Sequence, residues 1–487
     1  MKPSPLILAM VFLAMTIYAT PLIAQNFTWM QTSAPNQDWE SVASSADGTK
    51  LAAVVYNFGG IYTSTNSGIT WVQTSAPNLM WLSIASSSDG TKLVAAAFEG
   101  GIYTSFDAGA NWTKTSAQII NQSWRFITCS ADGTKIFAGS ESGIYTSTDS
   151  GTTWTQTSAP NAEWNSIACS SDGTKLAAVA TPFDFEYANG IYTSTDSGTT
   201  WTQTSAPNQD WESVTSSSDG TKLAATYGGI NAYGVFGGIY TSTDSGTTWT
   251  QTSAPNQDWE SVTSSSDGTK LAAVCFANGI YTSTDSGTTW TQTSAPNAEW
   301  NSIACSSDGT ELVTAAYAGG IFMGFIMPAI NSQPLSQAVS VGSNANFFVT
   351  ASGTSPLSYQ WQLNGTNISN ATNTIYSLTE VTTNSAGIYT VIVSNAGGSV
   401  TSSNAVFTVL SPHAGTGTAI LTGSFVTGVS ITDSGYGYTN TPLVRFIGGG
   451  GNGAGAFATV SNGVVISITV TAVRQARSIR RVWFFCL

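Results

Sequence analysis

Ser147 to Ser170 reads STDSGTTWTQTSAPNAEWNSIACS, and the recurrence of this text decides the fold. It returns with small changes along residues 26 to 327. Each unit follows W-T-Q-T-S-A-P-N-x-x-W-x-S-I-A-S-S-D-G-T-K-L-A-A-V, then a variable stretch, then G-G-I-Y-T-S-T-D-S-G-T-T. One tryptophan series is Trp29, Trp71, Trp112, Trp154, Trp201, Trp249 and Trp290; a second is Trp39, Trp81, Trp124, Trp164, Trp211, Trp259 and Trp300. Fourteen of the sixteen tryptophans therefore belong to a sevenfold repeat of 40 to 48 residues. Self-similarity at such a period marks a repeat architecture.

Each unit carries four short β-prone runs separated by turn residues. In the fourth full unit they are Trp164–Ser170, Lys175–Ala180, Gly190–Thr195 and Trp201–Thr204. Asp172-Gly173 is a hairpin turn that requires a positive φ. Ala206-Pro207-Asn208 breaks the chain before the next unit. Four strands per unit at this period are the blades of a β-propeller.

Ser-x-Asp-x-Gly-x-Thr-Trp stands intact at Ser147–Trp154, Ser194–Trp201, Ser242–Trp249 and Ser283–Trp290. In Ser64–Trp71 Asn66 replaces Asp, and in Ser105–Trp112 Asn111 replaces Thr. The motif resembles the Asp-box, or BNR, repeat of sialidase-like propellers. There it is a structural turn between the third and fourth strands of a blade. Physically, a carboxylate binds turn amides, Gly takes the left-handed position and Trp packs between sheets. Six boxes stand against seven inner-strand tryptophans. The last unit stops after Gly320–Phe325 without a box, while Phe27–Ser33 opens the chain as an orphan fourth strand. Pairing the two closes a seven-bladed ring with no free edge.

Lys2, the apolar run Leu6 to Tyr18 and the small residues before Ala24-Gln25 have the layout of a secretory signal peptide at 1–24, with the propeller at 25–327. The apolar run is shorter than a spanning helix needs, so the mature protein is expected to be secreted or cell-surface, with no membrane span. Of the five cysteines, Cys129, Cys169 and Cys305 occupy a repeat position held elsewhere by Ser44, Ser86, Ser216 and Ser264. They read as buried free thiols.

Residues 330–410 alternate as strands, with Trp361 in Tyr359-Gln-Trp-Gln and Tyr389 in Ala386-Gly-Ile-Tyr-Thr-Val. This resembles a bacterial immunoglobulin-like domain, which makes Trp361 the core tryptophan and Tyr389 the tyrosine corner. The disulfide positions of that pattern hold Val349 and Val391. Residues 415–473 are Gly-, Thr- and Val-rich and read as a small β-module. The run from Gly448 lacks the Lys-Ser or Lys-Thr and the helix of a phosphate loop. Residues 474–487 change character abruptly, carry four of the six arginines and read as a truncated or frame-shifted tail. The fold class is all-β: propeller, immunoglobulin-like β-sandwich and Gly-rich β-module.

Charged residues make up 8% of the chain, and the net charge is −13. Nucleic-acid binding needs clustered cations and is not expected. His413 is the single histidine, which argues against a Ser-His-Asp triad and a multi-His zinc site; no cofactor or metal is expected. Sialidases grip the substrate carboxylate with three arginines, whereas this propeller holds Arg125 and no other. Asp-box β-glucan hydrolases place two carboxylates in a cleft between two rings, and one ring is present here. Photosystem II assembly factors, a third Asp-box class, bind protein. Asp38/Glu40, Asp210/Glu212, Asp258/Glu260, Glu163 and Glu299 recur with the repeat and read as solvated loop residues.

Two units are enlarged in the second-to-third loop, at Thr181–Asn189 and Tyr227–Phe236, on adjacent blades and one face. A binding patch is expected from Phe183, Asp184, Glu186, Tyr187, Tyr227, Asn231, Tyr233 and Phe236, since aromatics beside amides and carboxylates stack on sugars or grip a protein loop. The reading is an exported, monomeric, non-catalytic binding or adhesion protein for a surface polysaccharide or protein. Its alternatives are a glycoside hydrolase or lyase using Asp184 and Glu186, and a protein-assembly scaffold.

Overall fold

The computed structural model describes residues 27–117, 123–140, 143–181, 189–228, 237–447, 454–472 and 481–485. The leader falls outside them, and among them no helix is long and apolar enough to cross a membrane. The chain divides into two compact units, Met1–Ile326 and Met327–Leu487.

The first unit is seven four-stranded antiparallel sheets. The first is Trp39–Ser44, Leu51–Val55, Ile61–Ser64 and Val72–Gln73. Five more repeat this order, and the seventh joins Trp300–Cys305, Glu311–Ala316 and Ile321–Ile326 to the chain's opening strand, Phe27–Gln31. That strand runs in register from Phe27 opposite Ile326 to Gln31 opposite Phe322. The ring is a closed seven-bladed propeller.

Strand composition follows position in the blade. Second strands such as Leu51–Val55 are buried throughout, because a neighbouring sheet covers each face, and they use small or β-branched residues. All seven inner tryptophans are buried. Each meets the third strand's aromatic ring edge-on, as Trp39 meets Tyr62 at 5.2 Å and Trp300 meets Phe322 at 5.2 Å. Fourth strands such as Thr155–Gln156 are short and exposed.

A bulge after the inner tryptophan, as at Trp39/Ser41, turns the next serine toward the adjacent blade. Ser41 Oγ thus accepts from Ile84 N at 3.3 Å, and Ser302 Oγ from Val42 N at 3.2 Å. In the third blade Phe126 replaces this serine, and Gly139 opposite it leaves room for the ring: a Cβ there would lie 1.6 Å from Phe126 Cζ. Two residues past each inner strand, backbone N–H groups bond from blade to blade: Ala46 to Ser88, Ser88 to Ala131, Ala131 to Ser171, Ser171 to Ser218, Ser218 to Ser266, Ser266 to Ser307 and Ser307 back to Ala46, at 2.7–2.8 Å. This is a closed circuit of hydrogen bonds.

The Asp-box is a turn, as the motif implies. Asp149 Oδ1 accepts from Thr153 N at 2.8 Å and from Ser147 Oγ at 2.8 Å, while Ser150 (φ 58) and Gly151 (φ 91) take left-handed backbone. On the same face, lysines that open the second strands reach the next blade; Lys135 Nζ meets Ser197 Oγ at 3.2 Å and Lys270 Nζ meets Asp308 O at 2.7 Å. At the closing seam Glu311 stands in the lysine position. It is 2% exposed, bonded to Ser67, and its Oε1 has no hydrogen-bond partner.

In the second unit the sandwich pairs Ser358–Leu363 with Gly387–Asn395, and Gln337–Ser340 in parallel with Ala405–Leu410. Trp361, Val349 and Val391 are core residues, and Tyr389 Oη donates to Ser385 O at 2.9 Å, the bond of a tyrosine corner. The Gly-rich module is a six-stranded sheet whose two hairpins, Gly415–Thr422 with Phe425–Asp433 and Gly455–Ser461 with Val464–Ala472, are bridged by further strands. Arg481–Phe485, assigned to the tail from sequence, pairs with both Gly415–Thr422 and Leu443–Ile447 and sits inside this sheet.

Candidate binding face

The inner strands surround a channel with two different ends. The Asp-box end opens as a mouth of about 330 Å³ lined by Ser44, Ser86, Cys129, Cys169, Ser216, Ser264 and Cys305, beside the hydrogen-bond circuit. The cysteines are free. Cys169 Sγ donates to Cys129 O and Cys305 Sγ to Ser264 O, both at 3.2 Å. Burial pushes all three thiols up, Cys169 to about 12 and Cys305 to about 11, so they stay protonated and unreactive. The described lining of this mouth is small and uncharged, with the lysines and Asp-box carboxylates of the face engaged at the turns around it.

The other end is acidic. Glu40, Glu212 and Glu260 follow the inner tryptophans of blades one, five and six, at the positions held by Leu82, Arg125, Asn165 and Asn301 elsewhere. Burial, then mutual repulsion, pushes each carboxyl up to about 7: Glu260 acts on Glu40 and Glu212, and Asp258 on Glu260. All three stand one residue into their inner strands, and Glu212 Oε2 accepts from Asn165 Nδ2 of the adjacent blade at 3.4 Å. Asn165 Nδ2 donates to Trp211 O at 2.9 Å, and Asn301 Nδ2 to Trp39 O at 3.2 Å, tying the inner strands together here. The repeat carboxylates were expected in solvated loops. Instead these three stand on inner strands and are partly buried, because the strands converge at the axis.

Ahead of the tryptophans stand Asp38, Glu163, Asp210, Asp258 and Glu299. Glu163 Oε1 accepts from Arg125 Nη1 at 2.7 Å. Over the others fold the second-to-third loops, held by Tyr56 N to Asp38 O (2.9 Å), Phe276 N to Asp258 O (3.0 Å) and Tyr317 N to Glu299 O (2.7 Å). Phe58 is 69% exposed, Tyr317 39% and Phe276 37%. These loops thus bring exposed aromatic residues and the acids that open the inner strands to the same end of blades one, six and seven.

Of the expected patch, Tyr227 is described; Phe183, Asp184, Glu186, Tyr187, Asn231, Tyr233 and Phe236 lie outside the described residues. Tyr227 is half-buried, opposite Trp211 in register and packed on it at 5.6 Å, with Tyr240 at 6.1 Å. It shares the packing of its blade as well as the loop face. Sequence reasoning did not single out Phe58, Phe276 and Tyr317. The signal was present in the recurrence of an aromatic residue right after the second strand, as at Tyr56, Phe98, Phe276 and Tyr317. Among the described residues no group of three or more His, Cys, Asp or Glu is placed to hold a metal ion.

Ring, box and sandwich define the class: a seven-bladed Asp-box propeller followed by an immunoglobulin-like domain. The model of the Sortilin-Vps10 family (sortilin, neurotensin receptor 3) matches residues 100–227, and that of the immunoglobulin domain matches residues 327–395. No curated protein matches the chain. Similar solved structures include YCF48 bound to D1 peptide (14% identity, TM-score 0.47, covering 62% of this chain and 97% of that one). YCF48 from Cyanidioschyzon merolae is similar at 15% identity and TM-score 0.47, over 61% and 98%. The propeller domain of Cps50 (Swd1) from Myceliophteria thermophila is similar at 12% identity and TM-score 0.47, over 61% and 99%.

Proposed function

We propose that this is an exported, non-catalytic binding protein whose propeller engages a protein or surface glycan through the face carrying the second-to-third loops. The observation that carries the reading is the exposure of Phe58, Phe276 and Tyr317 in second-to-third loops whose backbone bonds to Asp38, Asp258 and Glu299 at the same end of the blades. Exposed aromatics rimmed by polar groups supply contact area and orientation at once. The opposite face spends its Asp-box carboxylates on its own turns. The enlarged loops, with Phe183, Tyr187, Tyr233 and Phe236, extend the same face by sequence position. Export rests on the leader-like residues 1–24, and the non-catalytic role on the scarcity of His and Arg in the propeller.

The test is binding of residues 25–487 to glycan and peptide arrays, followed by chain-length analysis of the glycans. Phe276→Ala with Tyr317→Ala, and separately Tyr187→Ala with Tyr233→Ala, should reduce the signal about ten-fold, as truncation of interface aromatics does. Val72→Ser, on an exposed fourth strand, should leave it unchanged. Binding indifferent to both loop pairs would sink the assignment of the face, and shortened glycans would sink the non-catalytic role.

A further inference from the structure

We infer that the seam where the ring closes binds a monovalent cation of ammonium size, held by Glu311 against the turns of the first blade. The inference is independent of the loop-face reading, since the seam lies at the opposite end of the blades. The seven blade junctions of this one chain carry it. In six of them the residue that opens the second strand is a lysine: Lys50, Lys92, Lys135, Lys175, Lys222 and Lys270. Each lysine stem lies on the glycine of the next blade's Asp-Gly turn. A Cβ on Gly90 would stand 2.9 Å from Lys50 Cδ, and one on Gly220 would stand 2.7 Å from Lys175 Cδ. The ammonium beyond the stem meets an uncharged oxygen of that next blade. For Lys270 it is the turn carbonyl Asp308 O at 2.7 Å, and Lys50 reaches Asp89 O in the same way. For Lys135 and Lys222 it is the hydroxyl of the box serines Ser197 and Ser286, at 3.2 and 3.3 Å.

At the seventh junction a Cβ on Gly48 would stand 2.7 Å from Glu311 Cδ, and the carboxyl is bonded to Ser67, the box serine that corresponds to Ser197 and Ser286. Glu311 therefore enters the space that the lysines enter, between the same turn and the same box. It is 2% exposed, and its Oε1 has no hydrogen-bond partner. The acids of the two adjoining turns add negative charge and spend their Oδ1 atoms locally. Asp47 Oδ1 accepts from Ser45 Oγ at 2.6 Å and Thr49 N at 3.0 Å, and Asp308 Oδ1 accepts from Ser306 Oγ at 2.7 Å and Thr310 N at 3.0 Å. A place that takes one positive charge six times thus holds a buried, half-satisfied carboxyl with acids on both sides, an arrangement that is costly without a counter-charge. A cation standing where the ammonium stands supplies that charge. Glu311 Oε1 would be its charged ligand, with the Ser67 hydroxyl and the Asp47 carbonyl, counterpart of Asp308 O, as the neutral oxygens. One carboxylate among neutral oxygens suits a single charge; calcium and magnesium sites demand more ligands or stricter geometry. Potassium matches ammonium in charge and nearly in size.

The experiment is thermal unfolding of residues 25–487 at pH 8 after chelator treatment, in potassium chloride or in choline chloride at equal ionic strength. Potassium should raise the parent's Tm by about 2–4 °C and saturate, as a ligand of the folded state does. Glu311→Gln should melt alike in both salts, above the parent in choline, with potassium narrowing that gap. Glu311→Lys returns the ammonium of the other six blades and should also lose the dependence on potassium. Glu380→Gln, in the sandwich domain, should keep it. Crystals soaked in rubidium chloride should show an anomalous peak beside Glu311 Oε1. A parent indifferent to the choice of cation, or a potassium response that survives in Glu311→Gln, would overturn the inference. A response to calcium that potassium does not give would overturn the monovalent assignment.

Discussion

Glu311 occupies a position that carries lysine in the other six blades, and it does so at the seam where the ring closes. Burial raises its carboxyl to about 8, with Asp308 and Asp47 adding to the effect against a lowering bond from Ser67. A carboxyl whose folded value exceeds its unfolded one binds more protons in the folded state. Its contribution is therefore full below about pH 4.5 and lost as pH rises toward 8. Glu311→Gln should match the parent in a thermal melt at pH 4 and exceed it at pH 8, by on the order of 2–3 kcal/mol. Equal melts at both pH values would show that the carboxylate finds a cationic partner or water. The lysine-to-glutamate change is visible in the aligned repeats, but its burial is not, since that depends on which blade the last one meets.

At the level of elements, the inner tryptophans and the Asp-boxes carry different loads. Trp164 is wholly buried, whereas Trp154 is partly buried and donates from Nε1 to Gly151 O at 3.1 Å. Trp164→Ala should cost about 3–5 kcal/mol in chemical denaturation, and Trp154→Ala clearly less; the reverse order would mean the box tryptophan is the true core residue. Removing Phe27–Gln31 leaves Ile321–Ile326 as an open edge, and light scattering should detect association that the intact chain does not show. These elements were legible beforehand because their determinants are local. Asp-Gly turns, a tryptophan at fixed spacing and an unpaired strand at each end of the repeat suffice. The strands of the fourth unit fall within two residues of their expected bounds.

For the whole molecule, two families of acids pull the pH optimum to an unusual place. Asp89, Asp132, Asp172, Asp219 and Asp267 bind the hydroxyls and amides of their turns and are held near 2; their contribution is present above about pH 4 and fades as pH falls toward 2. Glu40, Glu212 and Glu260, raised to about 7, contribute fully below about pH 4.5 and progressively less toward 7. The propeller's melting temperature should therefore peak near pH 4–5 and decline toward pH 8. A flat profile between pH 5 and 8 would contradict the crowding of the glutamates. This acidic mouth was legible in composition but not in place. The glutamates recur in the sequence beside tryptophan, and only the convergence of seven inner strands brings separate repeats to one end of the ring. The enlarged units that suggested the loop face lie mostly outside the described residues, while the exposed aromatics described on it come from ordinary units.

The circuit of backbone bonds from Ala46 through Ser307 and back to Ala46 also bears on how such a chain can be inherited. Its repeats are close to copies of one another, and tandem copies in a gene misalign during replication, gaining or losing whole units. A product one unit shorter or longer would keep every local motif intact. Yet each blade's N–H must meet the next blade's carbonyl and the last must meet the first, so a different number of units changes the angle at every junction. Selection thus acts on the count of the repeats as firmly as on their spelling, and uniform repeats with a fixed number are what that pressure leaves behind.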